Sequence, residues 1–281
     1  MKAADAARLV ALAAIWGSSF LLMRIAAPAL GPLATADLRM LIAGLALLVY
    51  FGATGFDAQW RHWGRQYVIV GTMNSGVPFL LYAYAALALP AGLLAVLNAT
   101  APMWGMLLAA LILRERITIA RALGLALGIA GVALVSRPGG ASTAPLAIAA
   151  ALAAAFFYGL TGVYVKRFAP QAPARGMAVG TQVAAGAVLL PLLLAAPPSS
   201  FPAAPVTASI VALGLLCGAV AYILYFRLLA DIGATGALTV TYLIPVFGVI
   251  FGSVFLGEPI TAAMLAGGAL VVLGTVLVLR R

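Results

Sequence analysis

The sequence predicts an all-α integral membrane protein of ten transmembrane helices, built as a 5+5 inverted-topology repeat. Three observations lead there. First, 65% of the 281 residues are apolar, 8% are charged and the mean hydropathy is +1.17, a composition whose surface would aggregate in water. Second, Pro102 to Val135 recurs as Pro245 to Val278 at a constant offset of 143, aligning Pro102/Pro245, Gly105/Gly248, Leu113/Leu256, Glu115/Glu258, Thr118/Thr261, Gly124/Gly267 and Gly131/Gly274. Third, runs of about 20 apolar residues, enough to cross a bilayer, number five in each half. A unit with an odd number of spans leaves on the side opposite its entry, so the second copy runs upside down relative to the first.

The runs lie near 9–27, 34–52, 67–87, 92–113 and 119–136, then near 146–165, 177–196, 209–229, 236–256 and 262–279. Residues 1–140 are read as the first repeat and 141–281 as the second. Span 1 begins within a few residues of the N-terminus and has no small-residue cleavage site, so it reads as a retained helix. Turn chemistry separates the spans: Ala-Pro and Gly-Pro at 27–32, Asp57 to Arg65, Leu-Pro-Ala-Gly at 89–92, Arg-Pro-Gly-Gly at 137–140 and Pro-Pro-Ser-Ser at 197–200. Within one residue, the same offset lays Leu224-Tyr225 on Leu81-Tyr82, Gly214 on Gly71, Tyr158-Gly159 on Trp16-Gly17 and Lys166 on Arg24. Spans 1 and 3 are therefore repeated as spans 6 and 8.

Charge placement orients the chain. Lys2, Arg8, Arg61, Arg65, Arg114, Arg116, Arg121, Lys166, Arg167, Arg175, Arg227, Arg280 and Arg281 fall on the side of the N-terminus, and only Arg24, Arg39 and Arg137 on the other. Under the positive-inside bias both termini are expected in the cytoplasm. The net charge of +10 is then a topology signal; no loop is long enough to form a basic face for nucleic acid. Cys217 is the only cysteine, which excludes an intramolecular disulfide or a cysteine metal cluster. The chain has no His-Glu-x-x-His, no Gly-x-Ser-x-Gly and no phosphate-binding Gly-Lys-Ser/Thr loop. An enzyme is not expected, and neither is a cofactor.

An inverted repeat with so little mass outside the membrane points to a secondary transporter with its site near the midplane, between the halves. Proline inside a span frees the carbonyl four residues earlier: Pro78 frees that of Asn74, Pro102 that of Asn98 and Pro245 that of Thr241. Backbone and side-chain polarity thus converge at mid-depth, as a polar cavity requires. The competing reading is that these prolines only bend helices and the amides only join them. Asn74, Pro78 and Tyr82 share one face of span 3, and Trp16, Ser19 and Met23 share one of span 1, matched by Tyr158, Thr161 and Val165 of span 6. The candidate substrate-binding set is Trp16, Ser19, Asn74, Pro78, Tyr82, Asn98, Tyr158, Thr161, Tyr222, Thr239 and Tyr242, in which rings would hold an apolar body and hydroxyls and amides a polar end.

Arg24 and Lys166 are expected one towards each mouth, either to meet a substrate carboxylate or to snorkel to headgroups. Asp37 with Arg39, and Arg227 with Asp231, have spacings that suit boundary ion pairs. Glu115 and Glu258 precede spans 5 and 10, where a carboxylate can take orphan backbone donors. No Asp, Glu or His falls at the centre of a span, so movement down the substrate's own gradient is expected, without a proton relay. Gly124, Gly128 and Gly131 of span 5, with Gly267, Gly268 and Gly274 of span 10, allow close helix contact. Internal packing is preferred, with spans 5 and 10 peripheral and spans 1, 3, 4, 6, 8 and 9 around the path; monomer and homodimer both stay open.

Trp16-Gly17-Ser18-Ser19-Phe20, the Pro-x-x-Gly at 102–105 and 245–248, and the turns Leu-Arg-Glu-Arg-Ile-Thr and Leu-Gly-Glu-Pro-Ile-Thr at 113–118 and 256–261 resemble the EamA-type repeats of the drug/metabolite transporter superfamily. The likeness covers nearly the whole chain and is greatest to bacterial exporters of aromatic amino acids of the YddG type. It implies a multi-pass carrier of the bacterial inner membrane that exports aromatic amino acids by alternating access. The other substrates in view are threonine or homoserine, amines, nucleobases and drugs, with or without proton coupling; a channel or membrane scaffold is the reading from another class.

Overall fold

The longest helix, α1 (Ala3–Ala53), has 51 residues and would measure roughly 77 Å if straight, more than twice the roughly 30 Å hydrocarbon core. It is not straight. Between Pro28 and Pro32, Gly31 takes φ 79° and ψ 159°, a conformation that a Cβ all but forbids. Past this point Arg39 Nη1 lies 3.7 Å from Met23 Sδ, 16 residues back, where a straight helix would separate the two by roughly 24 Å. The chain therefore turns back at the Ala-Pro and Gly-Pro signals.

This computed structural model describes residues 2–136, 144–198 and 202–279. Arg137, Arg280 and Arg281, assigned to sides above, lie outside these residues, as do the whole break at 137–140 and part of that at 197–200. Among the described residues all regular structure is helical. Eight helices are long and apolar enough to cross a membrane, and the 17-residue α6 (Ile119–Val135) is a shorter apolar one. After α1 the order is α2 (Trp60–Gly71), a π-helical turn at Thr72–Gly76, α3 (Val77–Ala85), α4 (Ala91–Asn98), α5 (Ala101–Leu113) and α6. Then follow α7 (Pro145–Phe168), α8 (Ala174–Ala195), α9 (Ala204–Ala212), a π-helical stretch at Leu213–Val220, α10 (Ala221–Leu238), α11 (Val240–Leu256) and α12 (Ala262–Leu279).

The interruptions follow backbone chemistry. Pro78 has no N–H to close an α-turn onto Asn74, and just before it the Val77 N–H reaches back five residues to the Thr72 carbonyl. Pro102 stands in the first turn of α5, after a break at Ala99–Thr100, a position where its missing donor costs nothing. Pro245 stands inside α11, which runs from Val240 to Leu256; the break in this span falls earlier, at Thr239.

Large apolar side chains such as Leu111, Ile119, Leu194 and Val254 are more than two-thirds exposed, as a lipid-facing surface requires. Inside, small residues bring helices together. A Cβ on Gly124 would stand 2.6 Å from the Gly274 carbonyl, and one on Gly131 2.6 Å from that of Gly267, so α6 and α12 pack on each other within one molecule, backbone against backbone. Parts of α1, α3, α4, α5, α7, α10 and α11 surround the centre.

Candidate functional site

A cavity of about 580 Å³ lies among these helices, walled by Trp16, Phe20 and Met23 of α1, Tyr82 of α3, Tyr158 of α7 and Tyr222 and Tyr225 of α10. The rings form two groups of three. Tyr82 stacks on Tyr158 at 6.1 Å between centroids, Phe20 meets Tyr82 edge-on at 5.6 Å, and Trp16 lies 5.5 Å from Tyr225 and 6.5 Å from Tyr222. Such rings offer flat apolar surface while the phenols keep a polar tip.

Polar groups converge on the same space. The Tyr82 hydroxyl donates to Asn98 Oδ1 at 3.0 Å, across the gap between α3 and the end of α4. Gln182 Nε2 of α8 donates to the Tyr222 hydroxyl at 3.4 Å and to Ser75 Oγ at 3.2 Å, and Asn74 lines the cavity beside them. Ser19 Oγ gives its proton to the Trp16 carbonyl at 2.6 Å, which leaves its lone pairs free to accept.

The cavity extends to the end of the bundle where α5 and α7 finish and α6 begins, reaching Leu113, Glu115, Arg121 and Lys166. There Lys166 pairs with Glu115, their side chains 66% and 35% exposed. The opposite end is shut. Arg24 Nε lies 3.3 Å from Glu258 Oε1, Arg24 Nη1 donates to the Ala86 carbonyl at 2.7 Å, and the Ala91 N–H donates to Glu258 Oε2 at 2.8 Å. With the Glu258 side chain only 11% exposed, this is a part-buried clamp joining α1, the start of α4 and the turn before α12.

Of the candidate set, Trp16, Ser19, Asn74, Tyr82, Asn98, Tyr158 and Tyr222 line the cavity, as does Lys166 at its mouth. Pro78, Thr161, Thr239 and Tyr242 are not in its wall. Thr161 and Thr239 spend their hydroxyls on carbonyls of their own helices, Phe157 at 2.8 Å and Gly236 at 2.7 Å. On α7 the wall is formed by Tyr158, Gly159, Gly162, Val163 and Lys166, so of the expected face Tyr158, Thr161 and Val165 only Tyr158 lines it. Arg24 serves the clamp and does not face the cavity.

Four further expectations are corrected. Arg39 and Asp37 do not pair, because residues two apart on a helix point roughly 200° apart; Asp37 is wholly buried with no partner for either oxygen among the described residues. Asp231 pairs with Arg8, not Arg227, and Asp5 joins from 3.3 Å. The donors at the starts of α6 and α12 are taken by Thr118, from Arg121 N at 3.4 Å, and Thr261, from Met264 N at 3.1 Å, which frees Glu115 and Glu258 to bridge other elements. Finally α6 and α12 are not wholly peripheral, since Arg121, Val278 and Leu279 reach the mouth. Residues that sequence reasoning left out of the site include Arg39, Phe79, Phe20, Tyr225 and Cys217; Tyr225 and Cys217 are the repeat partners of Tyr82 and Asn74, a signal already present in the offset.

The sequence that builds this cavity matches the EamA-like transporter family twice, over residues 6–137 and 145–280. The chain belongs to this family. As an EamA-like transporter it is a multi-pass membrane protein that takes a small-molecule substrate. It is 31% identical to the "Probable terminal-alkyne amino-acid exporter" of Streptantibioticus cattleyicolor, over 97% of this chain and 92% of that one. It is 27% identical to the "Probable amino-acid metabolite efflux pump" of Salmonella typhimurium, over 92% and 89%. A solved crystal structure with a TM-score of 0.68, covering 99% of this chain and 96% of its own at 22% identity, has the same fold.

Proposed function

We propose that this EamA-like transporter is a carrier that exports amino acids, aromatic ones foremost, across the bacterial inner membrane by alternating access. The observation behind this reading is the ring-walled cavity, which has polar groups at its centre, one open end and one clamped end. Its volume lies in the range of small-molecule sites, roughly 300–1,000 Å³, and the relatives described above are exporters of amino acids or their metabolites by name. The other substrates named for the family, threonine and homoserine, amines, nucleobases and drugs, would find less use for stacked tyrosines.

The supporting architecture is ten spans in two inverted units. With α1 counted as two spans at Gly31, α2 and α3 as one, α4 and α5 as one, and α9 and α10 as one, each half holds five. Gly124 and Gly131 are the repeat partners of Gly267 and Gly274, yet Gly124 meets Gly274 and Gly131 meets Gly267. Swapped contacts of this sort are the mark of a two-fold axis between equivalent units, and their order makes α6 and α12 antiparallel, so the axis lies in the membrane plane. The aromatic pairs agree: Tyr82 with Tyr158 corresponds to Tyr225 with Trp16. By the positive-inside bias, the open end and both termini face the cytoplasm.

Reconstituted vesicles test the reading with phenylalanine, tryptophan, threonine and a cationic dye. Saturable flux of phenylalanine and tryptophan, accelerated by substrate on the far side, is expected; movement of the dye without phenylalanine sinks it. Transport is proposed to follow the substrate gradient, but the buried and unpartnered Asp37 favours proton coupling as a second reading. Accumulation of phenylalanine driven by a pH difference alone, abolished in Asp37→Asn, would establish that alternative.

A further inference from the structure

Arg39 is the one charged side chain deep in the cavity wall among the described residues, the other cations of the wall, Arg121 and Lys166, standing at the mouth. It is 5% exposed. Its guanidinium carbon sits 3.7 Å from the centroid of Phe79, and Nη1 approaches Met23 Sδ. None of the ion pairs among the described residues includes it, and its fork of N–H donors has no oxygen acceptor there.

The repeat shows what is unusual about this position. The offset of 143 lays Gln182 on Arg39 and Tyr222 on Phe79. In the second copy the Gln182 amide nitrogen donates to the Tyr222 hydroxyl and to Ser75 Oγ. In the first copy a guanidinium replaces the amide and a bare ring replaces the phenol, so a charge has been added and its acceptor removed. A cation held away from water without a counter-charge is costly, and ionisable groups inside membrane proteins mark substrate paths. Arg also suits this task, since its planar fork can stack on a ring and bind a carboxylate through two parallel bonds.

We propose that Arg39 is the anion-recognition residue of the cavity, binding the carboxylate of the substrate while the rings of Trp16, Tyr82 and Tyr158 hold its body. The proposal rests on the carrier reading and narrows it: molecules with a carboxylate are substrates, and the corresponding amines are not.

Two matched pairs decide the matter in reconstituted vesicles: phenylalanine against phenethylamine, and threonine against 1-amino-2-propanol, each amine being its amino acid without the carboxylate. Wild type should move the acid of at least one pair in preference to the amine. Arg39→Gln, which copies the residue of the second repeat, should lower kcat/KM for that acid about 100-fold and erase the preference, while Arg39→Lys keeps the preference with reduced flux. Arg39→Gln that melts like wild type and still prefers the acid overturns the proposal. So does a wild type that prefers amines, a result that holds even if the Gln variant does not fold, and so does a wild type that moves none of the four. Threonine flux without phenylalanine flux, erased in Arg39→Gln, upholds the role of Arg39 and removes the aromatic reading alone.

Discussion

Thr275 shows how one hydroxyl can hold a broken helix inside a membrane. Where α4 ends and α5 begins, the Met103 N–H bonds to the Thr100 carbonyl at 2.9 Å, leaving the Ala99 carbonyl without its usual partner four residues on. Thr275 of α12, fully buried, donates to that carbonyl at 2.7 Å and also lies 2.9 Å from the Val271 carbonyl. An unmet carbonyl in this setting costs about 1–3 kcal/mol, so Thr275→Val, of nearly the same shape, should lower thermal stability in detergent by that amount. Thr275→Ser should recover most of it. Equal melting of the Val variant and wild type would remove the hydroxyl from the account. Nothing in the sequence joins Thr275 to Ala99, 176 residues away, because this contact depends on how α12 docks. The ring residues were legible because tyrosines recur at the repeat offset; Arg39 was not, because a cation six to eight residues past a turn reads as a boundary charge until the helix is seen to lead it inward.

Helix ends recur with the repeat, and one of them is imperfect. α11 ends in the left-handed conformation at Gly257, φ 65°, and α5 ends the same way at Arg114, φ 57°. These are equivalent positions, 143 apart. The left-handed region costs a residue with a Cβ about 1 kcal/mol relative to glycine, while glycine returns part of the gain as extra freedom in the unfolded chain. Arg114→Gly is thus expected to raise stability by up to about 1 kcal/mol, read as a higher melting midpoint in detergent; a lower midpoint would mean that the arginine makes a contact worth more than its strain. Spans, turns and caps of this kind were largely legible, since apolar length and Gly/Pro punctuation are local. The π-helical stretches were not. The first precedes Pro78, but the second precedes Ala221 and has no proline; both lie where glycines pack closely on another helix, Gly71 on Thr181 of α8 and Gly214 and Gly218 on Ile42 and Ala43 of α1, a tertiary contact.

For the whole molecule, the proposed two-fold relation would give the closed state a counterpart. Glu258 holds Arg24 and the Ala91 N–H at the shut end; the repeat partners of these three groups are Glu115, Lys166 and Ala234. At the open end Glu115 meets the first of its counterparts, Lys166. If the halves rock as proposed, opening the shut end releases Glu258 from Ala91 and lets Glu115 accept from the Ala234 N–H, so each carboxylate stabilises one of the two states. Removing either charge should then move the equilibrium in opposite directions. Ala95 is fully buried at the shut end, and its repeat partner Leu238 lines the open one, which makes the pair a matched reporter. In a Cys217→Ser background, Glu258→Gln should raise labelling of Ala95→Cys by a membrane-impermeant thiol reagent and lower that of Leu238→Cys, each about tenfold for one lost charge-assisted bond. Glu115→Gln should do the reverse. Shifts of the same sign in both variants would show that the carboxylates serve a shared structural role and do not select between states, since only an exchange of partners between related ends makes the two substitutions oppose each other.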